Sequence, residues 1–240
     1  MSVLWLAYVG DDTSRDLKVI SSFDGVNWTP SAQVSGQFSS LAPALTEING
    51  TLWLAFIAAN GSHDLLVTST GDGVNWTPAA QVGGQSSPLT PALTEINGTL
   101  WLAYVANDSS NRLLVTSTGD GVNWTPAAQV GGYFSTVAPT LTSVNDELWL
   151  AYVAADGSDR LLVTSSSDGV NWTTEAFVNG YSSSLAPALT EINGELWLVY
   201  VAADGSNHFL VTSSGDGVKW TTEAFAGGQS SPAAPALVGW

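Results

Sequence analysis

The chain has 240 residues, no cysteine, and five Lys plus Arg against 21 Asp plus Glu, for a formal net charge of −16. That balance excludes disulfides and thiolate chemistry. It also sets aside nucleic acid, because phosphate binding needs clustered cations and Arg15, Lys18, Arg112, Arg160 and Lys219 are scattered.

Taken in chain order, the first element is an apolar strand from Leu4 to Val9 carrying Leu4-Trp5. The same Leu-Trp pair returns at Trp53, Trp101, Trp149 and Trp197, and an Asp-Gly-Val turn precedes Trp28, Trp76, Trp124, Trp172 and Trp220. Both series step by 48 without insertion or deletion. A period of this size marks a unit that must stack on copies of itself to bury its faces. In the second unit, Pro43 to Ile48 reads as a strand, and Asn49-Gly50 as a two-residue type I′ hairpin turn. Leu52 to Ile57 is apolar at every position, as expected of a strand covered on both faces. A polar loop at Asn60 to His63 leads to a third strand at Asp64 to Ser69. Gly71 to Asn75 then turns the chain into a fourth strand near Trp76 to Val82, and Gly83 to Ser87 leads out. Four antiparallel strands per unit predict an all-β, closed five-bladed β-propeller forming one domain over residues 1–240. The chain opens at a second strand and ends after Pro235-Ala236-Leu237, so the C-terminal strand is expected to complete the N-terminal blade.

The segments Ser22-Phe23-Asp24-Gly25-Val26-Asn27-Trp28 and Thr70-Gly71-Asp72-Gly73-Val74-Asn75-Trp76 resemble the Asp-box of sialidase-like propellers, with one residue fewer between Asp and Gly. The resemblance implies a structural role for the box in the turn between third and fourth strands. A compact ring of five blades also resembles the tachylectin-2 type of sugar-binding propeller. That resemblance implies carbohydrate binding.

Variation between units concentrates in two loops that propeller geometry places on one face. The blade-to-blade loop carries Gln37, Gln85, Tyr133, Tyr181 and Gln229, followed by Phe38, Ser86, Phe134, Ser182 and Ser230. The other loop carries Asp12, Asn60, Asp108, Asp156 and Asp204, with Arg112, Arg160 and His208 close behind. An aromatic face beside amides and carboxylates suits a neutral sugar, whose apolar face stacks while its hydroxyls hydrogen-bond. The competing reading is plain: Asp-Gly-Ser is ordinary turn chemistry, and the aromatics can simply seal the contact between blades.

An enzyme is not expected, since five near-identical blades offer little asymmetry for a catalytic site. The expected function is a multivalent, non-catalytic lectin with up to five similar sites and neutral glycans as partners. The alternative is a repeat scaffold or protein-interaction ring without a small ligand. No cofactor is expected. Calcium is the one metal for which hard oxygen ligands are present, at Asp11-Asp12 and Asp156 to Asp159. With no run of about 18 apolar residues and no leader pattern at Met1-Ser2, the expectation is a monomer without membrane insertion, cytoplasmic or non-classically released.

Overall fold

The computed structural model describes residues 3–11 and 13–237. Blade one holds β1 (Leu4–Val9), β2 (Asp16–Ser22) and β3 (Ala32–Phe38). Blade two holds β4 (Ala44–Ile48), β5 (Thr51–Ile57), β6 (Asp64–Thr70) and β7 (Ala80–Ser86). Blade three runs through β8 (Ala92–Ile96), β9 (Thr99–Val105), β10 (Arg112–Thr118) and β11 (Ala128–Phe134). Blade four follows with β12 (Thr140–Val144), β13 (Glu147–Val153), β14 (Arg160–Ser166) and β15 (Ala176–Ser182). Blade five has β16 (Ala188–Ile192), β17 (Glu195–Val201), β18 (His208–Ser214) and β19 (Ala224–Ser230). Within each blade, consecutive strands pair antiparallel. The innermost strands β4, β8, β12 and β16 meet in that order. The molecule is a five-bladed β-propeller. Blade one has three strands among the described residues. The strand expected to complete it falls on Pro235–Leu237, which carry no strand assignment, and on Val238 to Trp240, which lie outside the described residues. No helix among the described residues is long and apolar enough to cross a membrane.

Local chemistry accounts for the turns. Asn49 and Gly50 both take positive φ, 50° and 80°, as a type I′ hairpin demands. In the Asp-box, Asp72 Oδ1 accepts the backbone N–H groups of Val74 and Asn75 at 2.8 and 2.7 Å, while Asn75 Nδ2 donates to Oδ2 at 2.7 Å. The aspartate therefore ties a tight loop to itself, the structural role that the resemblance implies. The fourth strand differs from expectation: β7 begins at Ala80 rather than Trp76. Thr77 N still bonds Ser69 O at 2.9 Å, and the ladder resumes only at Ala80, as it does at Ala176 and Ala224, where Thr174 and Thr222 stand in place of Pro78. The expected lead-out, Gly83-Gly84, lies inside β7 as a bulge with both φ values positive, and the ladder register shifts between Asp64 and Leu66.

The second strand of each blade is sandwiched between neighbours, and Leu54, Leu102, Leu150 and Leu198 are fully buried. Four hydrophobic clusters hold the blades, one across each of the seams 1/2, 2/3, 3/4 and 4/5. The repeated Trp of the second strand reaches the Asp-box of the following blade. A Cβ added to Gly121 would stand 2.2 Å from the Trp53 ring, and one added to Gly169 would stand 2.1 Å from Trp101. Those indoles are therefore seam staples rather than open ligand platforms.

Candidate functional site

The bulge in each fourth strand aims the variable residue that follows it. In blade three, Gly131 and Gly132 have φ of 53° and 83°, and Tyr133 folds back into the seam towards blade four. Its ring stacks on Tyr152 of β13 with centroids 5.8 Å apart and planes 21° apart. Tyr133 Oη donates to Thr173 O at 3.0 Å and accepts the Glu175 N–H at 2.9 Å. Tyr152, which is 1% exposed, donates its hydroxyl to Glu175 Oε2. Burial first, and then the Glu175 carboxylate, push the Tyr152 pKa well above the usual phenol range, so it stays a neutral donor. Glu175 is thus held by two tyrosines from two blades, its carboxylate by Tyr152 and its backbone N–H by Tyr133.

A second carboxylate stands on the rim. Asp156 Oδ1 accepts from Ser158 N at 3.0 Å, and Oδ2 accepts from Arg160 Nη2 at 2.7 Å. The Ser158 bonds, followed by Arg160, lower its pKa to about 2. Arg160 also donates Nε to Ser158 Oγ at 3.0 Å and lies 5.8 Å over the Phe177 ring. Tyr133 and Phe134 of blade three and Tyr152, Asp156, Arg160 and Glu175 of blade four line one cleft of about 450 Å³, with Ser110, Asn111 and Gly132 on the blade-three side.

The other candidate residues divide among the remaining seams. Gln37, Phe38 and Asn60 share a cleft of about 610 Å³ at seam 1/2, with no carboxylate among the described residues that line it. There Gln37 turns back on its own bulge, donating to Ser35 O at 3.5 Å. At seam 2/3, Gln85 accepts the Tyr104 hydroxyl at 2.6 Å, and Asp108 pairs with Arg112. At seam 4/5, Tyr181 Oη accepts the Glu223 N–H at 2.8 Å, Asp204 accepts the Ser206 N–H at 2.8 Å, and His208 sits edge-on to Phe225 at 5.1 Å. Gln229 donates to Gly227 O at 3.3 Å, and Asp12 lies outside the described residues. The hard oxygens of Asp156 are engaged within its own loop, both oxygens of the carboxylate serving Ser158 and Arg160. Among the described residues, no group of three or more His, Asp or Glu could hold a metal ion.

No family model matches the chain, and no curated protein does. Its fold is similar to several solved structures. One is an α-L-arabinofuranosidase from Fusarium graminearum in complex with an iminosugar inhibitor, with TM-score 0.69 and 16% identity over 98% of this chain and 79% of that one. Another is an α-L-arabinanase from Penicillium chrysogenum complexed with arabinobiose, with TM-score 0.66 and 15% identity over 82% and 70%. A third is an exo-β-1,3-galactanase from Phanerochaete chrysosporium, with TM-score 0.58 and 13% identity over 81% of this chain and 52% of that one.

These neighbours overturn the expectation of a non-catalytic multivalent lectin, and with it the expectation that the chain is no enzyme. They are carbohydrate-cleaving propellers rather than lectins. The expectation assumed five interchangeable seams, and the seams are not interchangeable. Glu175 and Glu223 stand where the other units have Ser31, Ala79 and Ala127. Tyr152, Glu175, Tyr200 and Glu223 are absent from the sequence-derived candidates. A signal for them exists in the repeat: Tyr133 and Tyr181 are each followed 42 residues later by Glu, whereas Gln37 and Gln85 are followed there by Ala.

Proposed function

We propose that the chain is a glycan-cleaving propeller whose active site is the cleft between blades three and four. The observation that carries this reading is the meeting of Glu175, Asp156 and Arg160 with the Tyr133, Tyr152 and Phe134 rings in one cleft. Glycoside hydrolysis generally needs two carboxyl groups in different protonation states beside a sugar-binding surface. Asp156, paired with a guanidinium and a serine, is kept ionised and serves as the base or nucleophile. Glu175, the other carboxyl group lining the cleft, is assigned to the departing oxygen. Tyr152 is a positioning residue: its hydroxyl can donate to the carboxylate or accept from the acid. Tyr133 and Phe134 offer ring faces to the apolar side of a neutral sugar, and Arg160 and Asn111 offer hydrogen bonds to its hydroxyls. The neighbours' substrates nominate arabinan, α-L-arabinofuranosides and β-1,3-galactan.

The test is turnover of those three substrates by the full chain, before and after Glu175→Gln. Loss of an acid catalyst should cost about 10²–10⁴-fold in kcat with KM little changed. No turnover of any of them by the wild-type protein would overturn the reading.

A further inference from the structure

We propose that the seam between blades four and five is a second active cleft, cleaving the same class of glycoside with Tyr181, Tyr200, Glu223 and Asp204. This rests on the reading of the first cleft. Tyr181 stacks on Tyr200 at 5.8 Å and 23°, the separation and tilt of the first pair to within 2°. Glu223 N donates to Tyr181 Oη at 2.8 Å, and Tyr200 Oη donates to Glu223 Oε2. Tyr200 is 1% exposed. Asp204 accepts from Ser206 N at 2.8 Å, as Asp156 accepts from Ser158. Both carboxyl groups, both phenols and the tyrosine–glutamate hydrogen bonds are therefore repeated one blade along, while His208 stands where Arg160 pairs with Asp156 and Asn179 Nδ2 adds a bond to Tyr181 Oη at 3.0 Å.

The other described seams lack these parts. A glutamine replaces the variable tyrosine at 37 and 85, and an alanine replaces the glutamate at 79 and 127. What differs between the two clefts is the rim. His208 replaces Arg160, Ser182 replaces Phe134, and Asn179 replaces Gly131. The Cβ that Asn179 brings stands where Gly131 leaves room for the ring, and the Tyr181 bond to Thr221 O is longer, 3.4 Å against 3.0 Å. Without a phenylalanine ring to extend the platform, the second cleft holds a shorter ligand than the first. In the step itself, Glu223 gives its proton to the departing glycosidic oxygen as the C–O bond breaks. Water supplies hydroxide to the sugar carbon and its other proton to Asp204.

The experiment compares the wild-type chain with E175Q, E223Q and the double variant, on arabinobiose and on linear arabinan. The expected result is that E175Q keeps a residual turnover of arabinobiose, that E223Q removes it in the double variant, and that arabinan suffers more from E175Q than from E223Q. Titration of the ¹⁵N-labelled E175Q chain with arabinobiose should shift the Tyr181 and Glu223 amides as it does in the wild type. Turnover that survives in E223Q but falls in E175Q to the level of the double variant, with shifts confined to Tyr133 and Glu175, overturns the second cleft and leaves the first. Turnover lost with E223Q and kept with E175Q supports the second cleft and overturns the first. A wild-type chain that cleaves neither saccharide overturns both.

Discussion

At the residue scale, the chemistry is carried by how individual carboxylates are held. Asp24, Asp72, Asp120 and Asp168 each accept two backbone N–H groups and an asparagine amide, which holds their pKa well below the usual carboxylate range. The largest cause in each is the N–H three residues on, from Asn27, Asn75, Asn123 and Asn171. A folded pKa below the unfolded value of about 3.9 means that the folded state holds fewer protons in that range. The stabilisation is therefore complete above about pH 4 and is lost as pH falls towards the folded values. Thermal melts should show a flat Tm from pH 5 to 8 and a decline below pH 4. In Asp72→Asn the Tm should be lower at pH 7, and the decline below pH 4 shallower. An equally steep acid decline in the variant would remove Asp72 from this account. The tyrosine–glutamate pairs belong to the same scale. Tyr133→Phe deletes the hydroxyl that accepts the Glu175 N–H and donates to Thr173 O. It should lower kcat on arabinan about tenfold or more through misplacement of Glu175, with the fold retained, as circular dichroism would verify.

At the scale of the element, each Asp-box hairpin is both a turn and a socket. Gly121 has φ 74° and its missing Cβ leaves room for the Trp53 ring, whereas Gly119 in the same hairpin has open space around it and no positive φ. Gly121→Ala combines a left-handed backbone with a collision against a half-buried indole. It should destabilise by about 2–4 kcal/mol, while Gly119→Ala should stay within about 0.5 kcal/mol of wild type. Equilibrium urea unfolding of the pair separates the socket from the turn, because both substitutions sit in the same loop. Hairpin turns, the apolar second strand and the Asp-box were all legible in the sequence, since each depends on residues a few positions apart. The start of the fourth strand was not. It is set by where the ladder resumes beyond the Asp-box, at Ala80 as at Ala176, and by a bulge of two positive-φ residues, and the Gly-Gly pair reads equally well as an exit loop.

At the scale of the whole molecule, the propeller is a stack in which each blade is stabilised by its neighbours. Four seams have a buried hydrophobic cluster, and no such cluster joins blade five to blade one among the described residues. Trp5, Trp53, Trp101 and Trp149 each crowd the Asp-box glycine of the next blade, while Gly25 meets only Leu4 Cδ1 at 3.6 Å. Leu6, Trp28 and Phe225 are 46%, 40% and 64% exposed. Amide hydrogen exchange should therefore run fastest in β1 to β3 and β19, and slowest in the second strands of blades three and four. Uniform protection around the five blades would contradict a weaker fifth seam. The first proposed cleft, at seam 3/4, lies between seams 2/3 and 4/5 that each carry a buried cluster, so the strands on both sides of it are held from behind.

The sequence by itself determined the period, the blade count and the hairpin chemistry, because a 48-residue repeat without gaps leaves a single way to bury its apolar strands. It also marked the two variable loops. Only the tertiary structure decided what those loops do. The bulge swings Tyr133 across the seam onto Tyr152, and the next blade brings up Glu175, 42 residues away in the chain. A repeat read along the chain aligns equivalent residues with one another, whereas a cleft is made from non-equivalent residues of adjacent blades. The five units therefore look interchangeable as sequence and differ as sites.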